Sequence, residues 1–107
     1  MKLTPSTDQN GTSKLCYMLS EENFEHLRKV TPEKLELVFG KTHSKVYWEP
    51  ERGYEDPEWY FETECGAVVG VGFRWGTPRF RAKNVSEEIA NQFLSYLNFR
   101  LSTCKRT

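Results

Sequence analysis

Nine of the fifteen aromatic residues fall between Lys45 and Arg81, in KVYWEPERGYEDPEWYFETECGAVVGVGFRWGTPRFR. Apolar and polar residues alternate through much of this stretch, and its breaks fall at Pro and Gly. A period of two places alternate side chains on opposite faces of a strand. The stretch therefore reads as an antiparallel sheet of four strands, about 45–49, 58–63, 67–75 and 78–83. PERGYEDP forms a loop between the first two.

The turns set the register. A two-residue turn at Cys65-Gly66 would place Glu62 opposite Val69 and mix acids into the apolar face. A three-residue loop, Glu64-Cys65-Gly66, with Gly66 in the left-handed region, sets Phe61 opposite Val69 and Trp59 opposite Val71. That register is apolar throughout, and a slip of one residue would turn every side chain to the wrong face. For the next hairpin, Gly76-Thr77 with glycine first predicts a type II′ turn that pairs Phe73 with Phe80 and Val71 with Ala82. Both turns give one core face: Trp59, Phe61, Val69, Val71, Phe73, Phe80 and Ala82. Trp48 is expected to join it from the first strand.

The flanks read as helices. Ser20 precedes Glu21 and Glu22, a capping hydroxyl followed by carboxylates at the positive helix end. Phe24 and Leu27 form the apolar face of this helix, about 21–29. Thr31-Pro32 opens a second, about 32–39, with Leu35, Val38 and Phe39 on one side and Gly40 as its stop. Ser86 caps a last helix whose stripe is Ile89, Ala90, Phe93, Leu94, Leu97 and Leu101. Leu15 to Leu19 is a strand or a lead-in to the first helix. The expected fold is α+β in two layers: a four-stranded antiparallel meander covered on one face by the C-terminal helix and two short N-terminal helices. Residues 1–13 are expected to be a flexible polar tail, 14–103 a single domain, and 104–107 a short basic end.

The chain has 107 residues and a net charge of zero, which gives no overall pull toward nucleic acid or an anionic membrane. Three widely spaced cysteines, Cys16, Cys65 and Cys104, fit neither a disulfide framework nor a zinc site. With no hydrophobic leader and no long apolar run, the expected location is the cytoplasm, without membrane contact. No cofactor or metal is called for. His26 and His43 have no partner spacing, and no nucleophile, base and orienter come together, so the chain reads as not an enzyme. An enzyme with an unrecognised site is a further alternative.

Charge is segregated locally. Seven acids lie within residues 49–64, against Arg52 alone, while 74–83 carries Arg74, Arg79, Arg81 and Lys83 with no acid. The register puts Tyr60 and Glu62 on the outer sheet face with that basic strand. It sets Arg74 opposite Arg79, Gly72 opposite Arg81 and Gly70 opposite Lys83, with Tyr60 lying across Gly70. These residues also suit an ordinary solvated face, its arginines paired to Glu58 and Glu62. Two candidate surfaces follow: the acidic loop with Glu51, Tyr54, Glu55 and Asp56, and the outer face with Tyr60, Arg74, Arg79, Arg81 and Lys83. Exposed aromatics beside segregated charge suit a protein interface. The expectation is a small protein-binding module whose partner is another protein. It would act as an inhibitor, adaptor or accessory protein, analogous in size and character to the small inhibitors of phages and mobile elements. The alternative is single-stranded nucleic-acid binding, with Tyr60 stacking on bases and the arginines on phosphates.

Overall fold

The computed structural model describes residues 1–6, 11–42, 44–49 and 54–103, with the backbone course alone for 44–49 and 54–56. The elements in chain order are β1 (Leu3–Ser6), β2 (Ser13–Lys14), a 3-10 turn (Cys16–Met18), α1 (Glu21–Arg28), α2 (Pro32–Phe39), β3 (Ser44–Glu49), β4 (Tyr54–Thr63), β5 (Val68–Arg74), β6 (Thr77–Lys83) and α3 (Glu87–Thr103). The fold is α+β, an antiparallel sheet with α3 packed on one face.

The sheet has six strands rather than four, in the order β1-β4-β5-β6-β2, with β3 also pairing β4. The ten residues of β4 make this possible. Its first half, Tyr54 to Glu58, pairs with β3, and Tyr60 to Thr63 pairs with β1. Residues 54–57, expected as loop, therefore extend the strand. The N-terminal residues expected as a flexible tail supply two edge strands, β1 on β4 and β2 on β6. Their polar composition suits edge strands with much solvent exposure and gives no apolar alternation to recognise.

The β4–β5 connection follows the expected three-residue loop. Thr63 N–H donates to the Ala67 carbonyl at 2.8 Å, Gly66 has φ of 84°, and Phe61 and Trp59 stand opposite Val69 and Val71. The β5–β6 turn is a correction. It falls at Trp75-Gly76, with φ of 53° and 83°, and pairs Val71 with Phe80 and Phe73 with Pro78. Proline explains the shift. A Gly76-Thr77 turn would make Pro78 the closing residue of the hairpin, where a backbone N–H must be donated, and proline has none. Moving the turn back by one residue puts Thr77 opposite Arg74 as the closing pair. The slip in pairing is two residues, so every side chain keeps its face.

The core face is as expected: all seven residues from the two turns are buried with Leu27, Val30, Leu35, Ala90, Phe93, Leu94 and Leu97. Phe93 of α3 packs on Phe61 and Phe80 at centroid distances of 6.4 and 6.1 Å. Phe39 meets Phe61 at 4.4 Å, and the Trp59 indole donates to the Gly40 carbonyl at 2.9 Å, which ties the end of α2 to the sheet. The side chain of Trp48 lies outside the described residues.

Capping fixes the helix starts. The hydroxyls of Ser20, Thr31 and Ser86 accept from the N–H groups of Asn23, Lys34 and Ile89, each at 3.2 Å. One face of α1 departs from expectation, since Phe24 is 41% exposed while Asn23 is buried. Asn23 is buried because Asn91 of α3 receives it. The Asn91 Oδ1 accepts from Asn23 Nδ2 at 2.9 Å and from Ser20 N–H at 2.8 Å, while its Nδ2 donates to the carbonyls of Met18 and Glu87. One amide thus joins α1 and the 3-10 turn to α3.

Replacing Asn91 with Ala leaves the buried Asn23 amide and the Ser20 N–H short of this acceptor. Loss of hydrogen-bond partners for buried groups costs roughly 1–3 kcal/mol. Urea unfolding of Asn91→Ala should show that loss, whereas Gln92→Ala, on the exposed side of the same helix, should unfold at the wild-type midpoint.

Candidate functional site

The second face of the sheet, away from the helices, is floored by glycine. Along β5, Gly70 and Gly72 separate side chains of β4 from side chains of β6 in two cross-strand rows. Tyr60, Gly70 and Arg81 make one row, and Glu58, Gly72 and Arg79 the other. A third row is Glu62, Val68 and Lys83. The basic residues are thus each one row away from the expected pairing, and Arg74 stands opposite Thr77 instead of Arg79. No like charges face each other directly at the hairpin end.

Tyr60 lies across Gly70 as expected. A Cβ on Gly70 would come within 2.6 Å of the Tyr60 Cδ1 and 2.4 Å of the Trp59 carbonyl oxygen. The Glu58 carboxylate similarly lies over Gly72, where a Cβ would meet its Oε2 at 2.5 Å. The missing side chains let an aromatic ring and an acid fold inward, and both residues are buried, at 3% and 4% exposure. Glu62, expected on this face, is exposed, and Arg79, Arg81 and Lys83 are half-buried. This face is neither open nor solvated at its centre.

Part of its cover comes from the N-terminal segment. Strands β1 and β2 stand at opposite ends of the strand order, and Gly11 and Thr12 lie against the face. Arg81 donates from Nη2 to the Thr12 carbonyl at 3.0 Å, and Thr12 is buried. Thr12 and Glu58 also lie close to the Tyr60 hydroxyl, though neither closes a well-formed hydrogen bond with it. Burial, and then the negative charge of Glu58, push the Tyr60 phenol up to about 12, with Arg81 acting against them.

The remaining candidate residues separate from this site. Tyr54, Glu55 and Asp56 belong to β4, paired with Glu49, Tyr47 and Val46 of β3, and their side chains lie outside the described residues. Glu51 lies outside them altogether, as do His43 and Cys104. Arg74 is exposed at the hairpin end. The structure therefore brings Tyr60, Arg79 and Arg81 together, with Lys83 beside them, and adds Thr12, expected in a flexible tail, and Glu58, expected only as a charge partner of the arginines. Glu58 was legible, because a side chain at that position of β4 must point to the same face as Tyr60.

A second feature is the tip of the β5–β6 hairpin. Trp75 is 53% exposed and holds φ of 53°. Left-handed backbone costs a non-glycine residue about 1–2 kcal/mol, and Asn or Asp bears it best. The signal for this position was Pro78, which forbids the neighbouring turn.

Among the described residues, no group of His, Cys, Asp or Glu could hold a metal ion, and no helix is long and apolar enough to cross a membrane. Cys65 is exposed, and hydrogen bonding from Thr63, whose Oγ1 lies 3.2 Å from the sulfur, lowers its thiol below the usual range. No protein-family model, curated protein or solved structure matches the chain.

Two predictions follow from the glycine floor. Gly70→Ala meets a backbone oxygen and should cost roughly 1–3 kcal/mol in denaturant unfolding. Gly72→Ala meets only the end of the Glu58 side chain, which can swing away, and should cost less; an equal cost would contradict the described floor. The Tyr60 phenol also gives stability a pH dependence. Its folded value of about 12 lies above the ordinary 10.0, so its contribution is complete below pH 10. That contribution is lost as pH rises from 10 through 12. Tyr60→Phe should therefore lose less stability than wild type over that interval, measured by thermal melts at each pH.

Proposed function

We propose that this chain is a small non-catalytic protein-binding module whose principal anchor is Trp75 at the hairpin tip. The observation that carries the reading is the combination of exposure and strain at that residue. Trp75 is a tryptophan held half exposed in left-handed backbone, a conformation that asparagine adopts with less strain. Tryptophan is among the residues most enriched at interface hot spots, where its large amphipathic ring fills a partner's pocket. Arg74, also exposed, precedes it and can contribute at the rim of such a contact.

Nucleic-acid stacking has less support. It requires the Tyr60 ring, which lies over Gly70 at 3% exposure and offers no free face to a base. Tyr54 keeps its place as a second candidate anchor on the protein-binding reading, since it begins β4 at the β3–β4 connection.

Affinity purification from the source host, with wild type and Trp75→Asn in parallel and nucleic acid recovered alongside protein, tests the reading. The expected result is a reproducible protein partner whose affinity falls about 30-fold or more in the variant, the effect of losing one hot-spot side chain. The variant should keep the wild-type fold by circular dichroism, because asparagine is among the residues that bear left-handed backbone best. Equal recovery of the partner by Trp75→Asn, or recovery of nucleic acid in place of protein, would overturn the proposal.

A further inference from the structure

The tip of the β5–β6 hairpin is too small to be a whole interface. A specific protein contact covers about 800 Å² on each partner, and one tryptophan supplies roughly 150–250 Å² of it. The exposed residues beside Trp75 are Arg74, Gly76 and Thr77. Further contact has to come from whatever the fold places next to the tip. The register identifies it. Glu58 of β4, Gly72 of β5 and Arg79 of β6 form one cross-strand row. From this row β4 runs back four residues to Tyr54, and the chain of β5 runs forward four residues to Gly76. Because the strands are antiparallel, both runs go the same way. Strand β3 ends at that height too, with Glu49 opposite Tyr54. The ends of β3 and β4 therefore share one end of the sheet with the Trp75-Gly76 turn. On the other side of the hairpin, β2 reaches only Arg81 and Ala82, well short of the tip.

Eleven described residues of these four strands and the turn lie two or more positions beyond that row: 46–49, 54–56 and 74–77. Four of them are aromatic, Tyr47, Trp48, Tyr54 and Trp75, in a chain that is 14% aromatic. Tyrosine and tryptophan are the residues that interface centres concentrate. Three of the eleven are acids, Glu49, Glu55 and Asp56, against Arg74 as the single base. This end of the sheet is thus rich in rings and carries an excess of negative charge, which repels nucleic acid and attracts a basic surface. We propose that the ends of β3 and β4 form one docking surface with the hairpin tip, and that its occupant is a protein with a basic patch beside an apolar pocket that takes Trp75. The proposal rests on the protein-binding reading and adds to it the rest of the surface and the charge of the partner.

The probe is the protein that the wild-type chain recovers from the source host, purified and titrated by calorimetry into the full chain and its variants at low and at high salt. Tyr54→Ala should weaken binding about tenfold or more, as loss of a second aromatic anchor does. The double reversal Glu55→Lys with Asp56→Lys should weaken it by a similar factor and remove most of its salt dependence. Phe99→Ala, which removes an exposed ring from α3, should bind as wild type. Each variant is first checked for the wild-type fold by circular dichroism, and where Tyr54→Ala fails to fold the charge reversal decides. Wild-type affinity in both the Tyr54 and the charge-reversal variants, with binding lost in Trp75→Asn, would overturn this surface and leave the protein-binding reading standing. Undiminished binding by Trp75→Asn would overturn both. If the recovered protein is a second copy of this chain, whose net charge is zero, or if charge reversal tightens binding, the assignment of a basic partner falls.

Discussion

The Tyr60 ring laid across Gly70 is the contact on which both faces of the sheet depend. Its neighbour in sequence, Trp59, points the other way into the helical core and is held there by the Gly40 carbonyl. Strand β4 therefore anchors one aromatic in each layer at consecutive positions. Six of the seven residues of β5 are buried, so this central strand is enclosed from both sides, which is unusual for a two-layer domain with helices on one face only. Among the described residues, one ring, one carboxylate and the Gly11–Thr12 segment lie over the second face. Glycine makes that possible, because any side chain at position 70 would lift the ring off the strand.

The acid in this layer sets its electrostatics. Glu58 is drawn inward over Gly72, and a buried carboxylate loses several kcal/mol of hydration unless positive charge and donors replace water. The basic strand β6 supplies that charge two positions across. The arginines thus serve the buried acid, and half-buried as they are they offer a nucleic acid less than an open basic surface would. Because Arg81 also holds Thr12, the N-terminal strands are coupled to the same layer by a guanidinium as well as by backbone pairing.

The parts of this arrangement legible in the sequence are those governed by local chemistry. Ser20, Thr31 and Ser86 identify helix starts because a hydroxyl next to free N–H groups has one obvious use. The β4–β5 register was legible because only one loop length keeps acids out of the core. The β5–β6 turn was equally determined, but by a missing N–H at Pro78, not by the position of glycine. Asn23 and Phe24 exchanged places for a reason that periodicity does not contain. Asn91, sixty-eight residues along the chain, rewards a buried amide on α1. The strands β1 and β2 were illegible because polar edge strands take their stability from neighbours already in place.

The same physics separates the hairpin tip from the sheet face. On the face, Tyr60 is fixed by burial, and its ring is accounted for by packing over Gly70. At the tip, the turn position is imposed by Pro78, and the turn type then demands left-handed backbone at residue 75. Nothing in that demand asks for tryptophan. Small residues that hydrogen-bond locally meet it with less strain, and a large apolar ring held half in water adds an exposure cost of its own. A rigid hairpin, pinned at its base by the buried Phe73 and Phe80, can hold such a residue in one orientation, and a partner then gains contact without first ordering the ring.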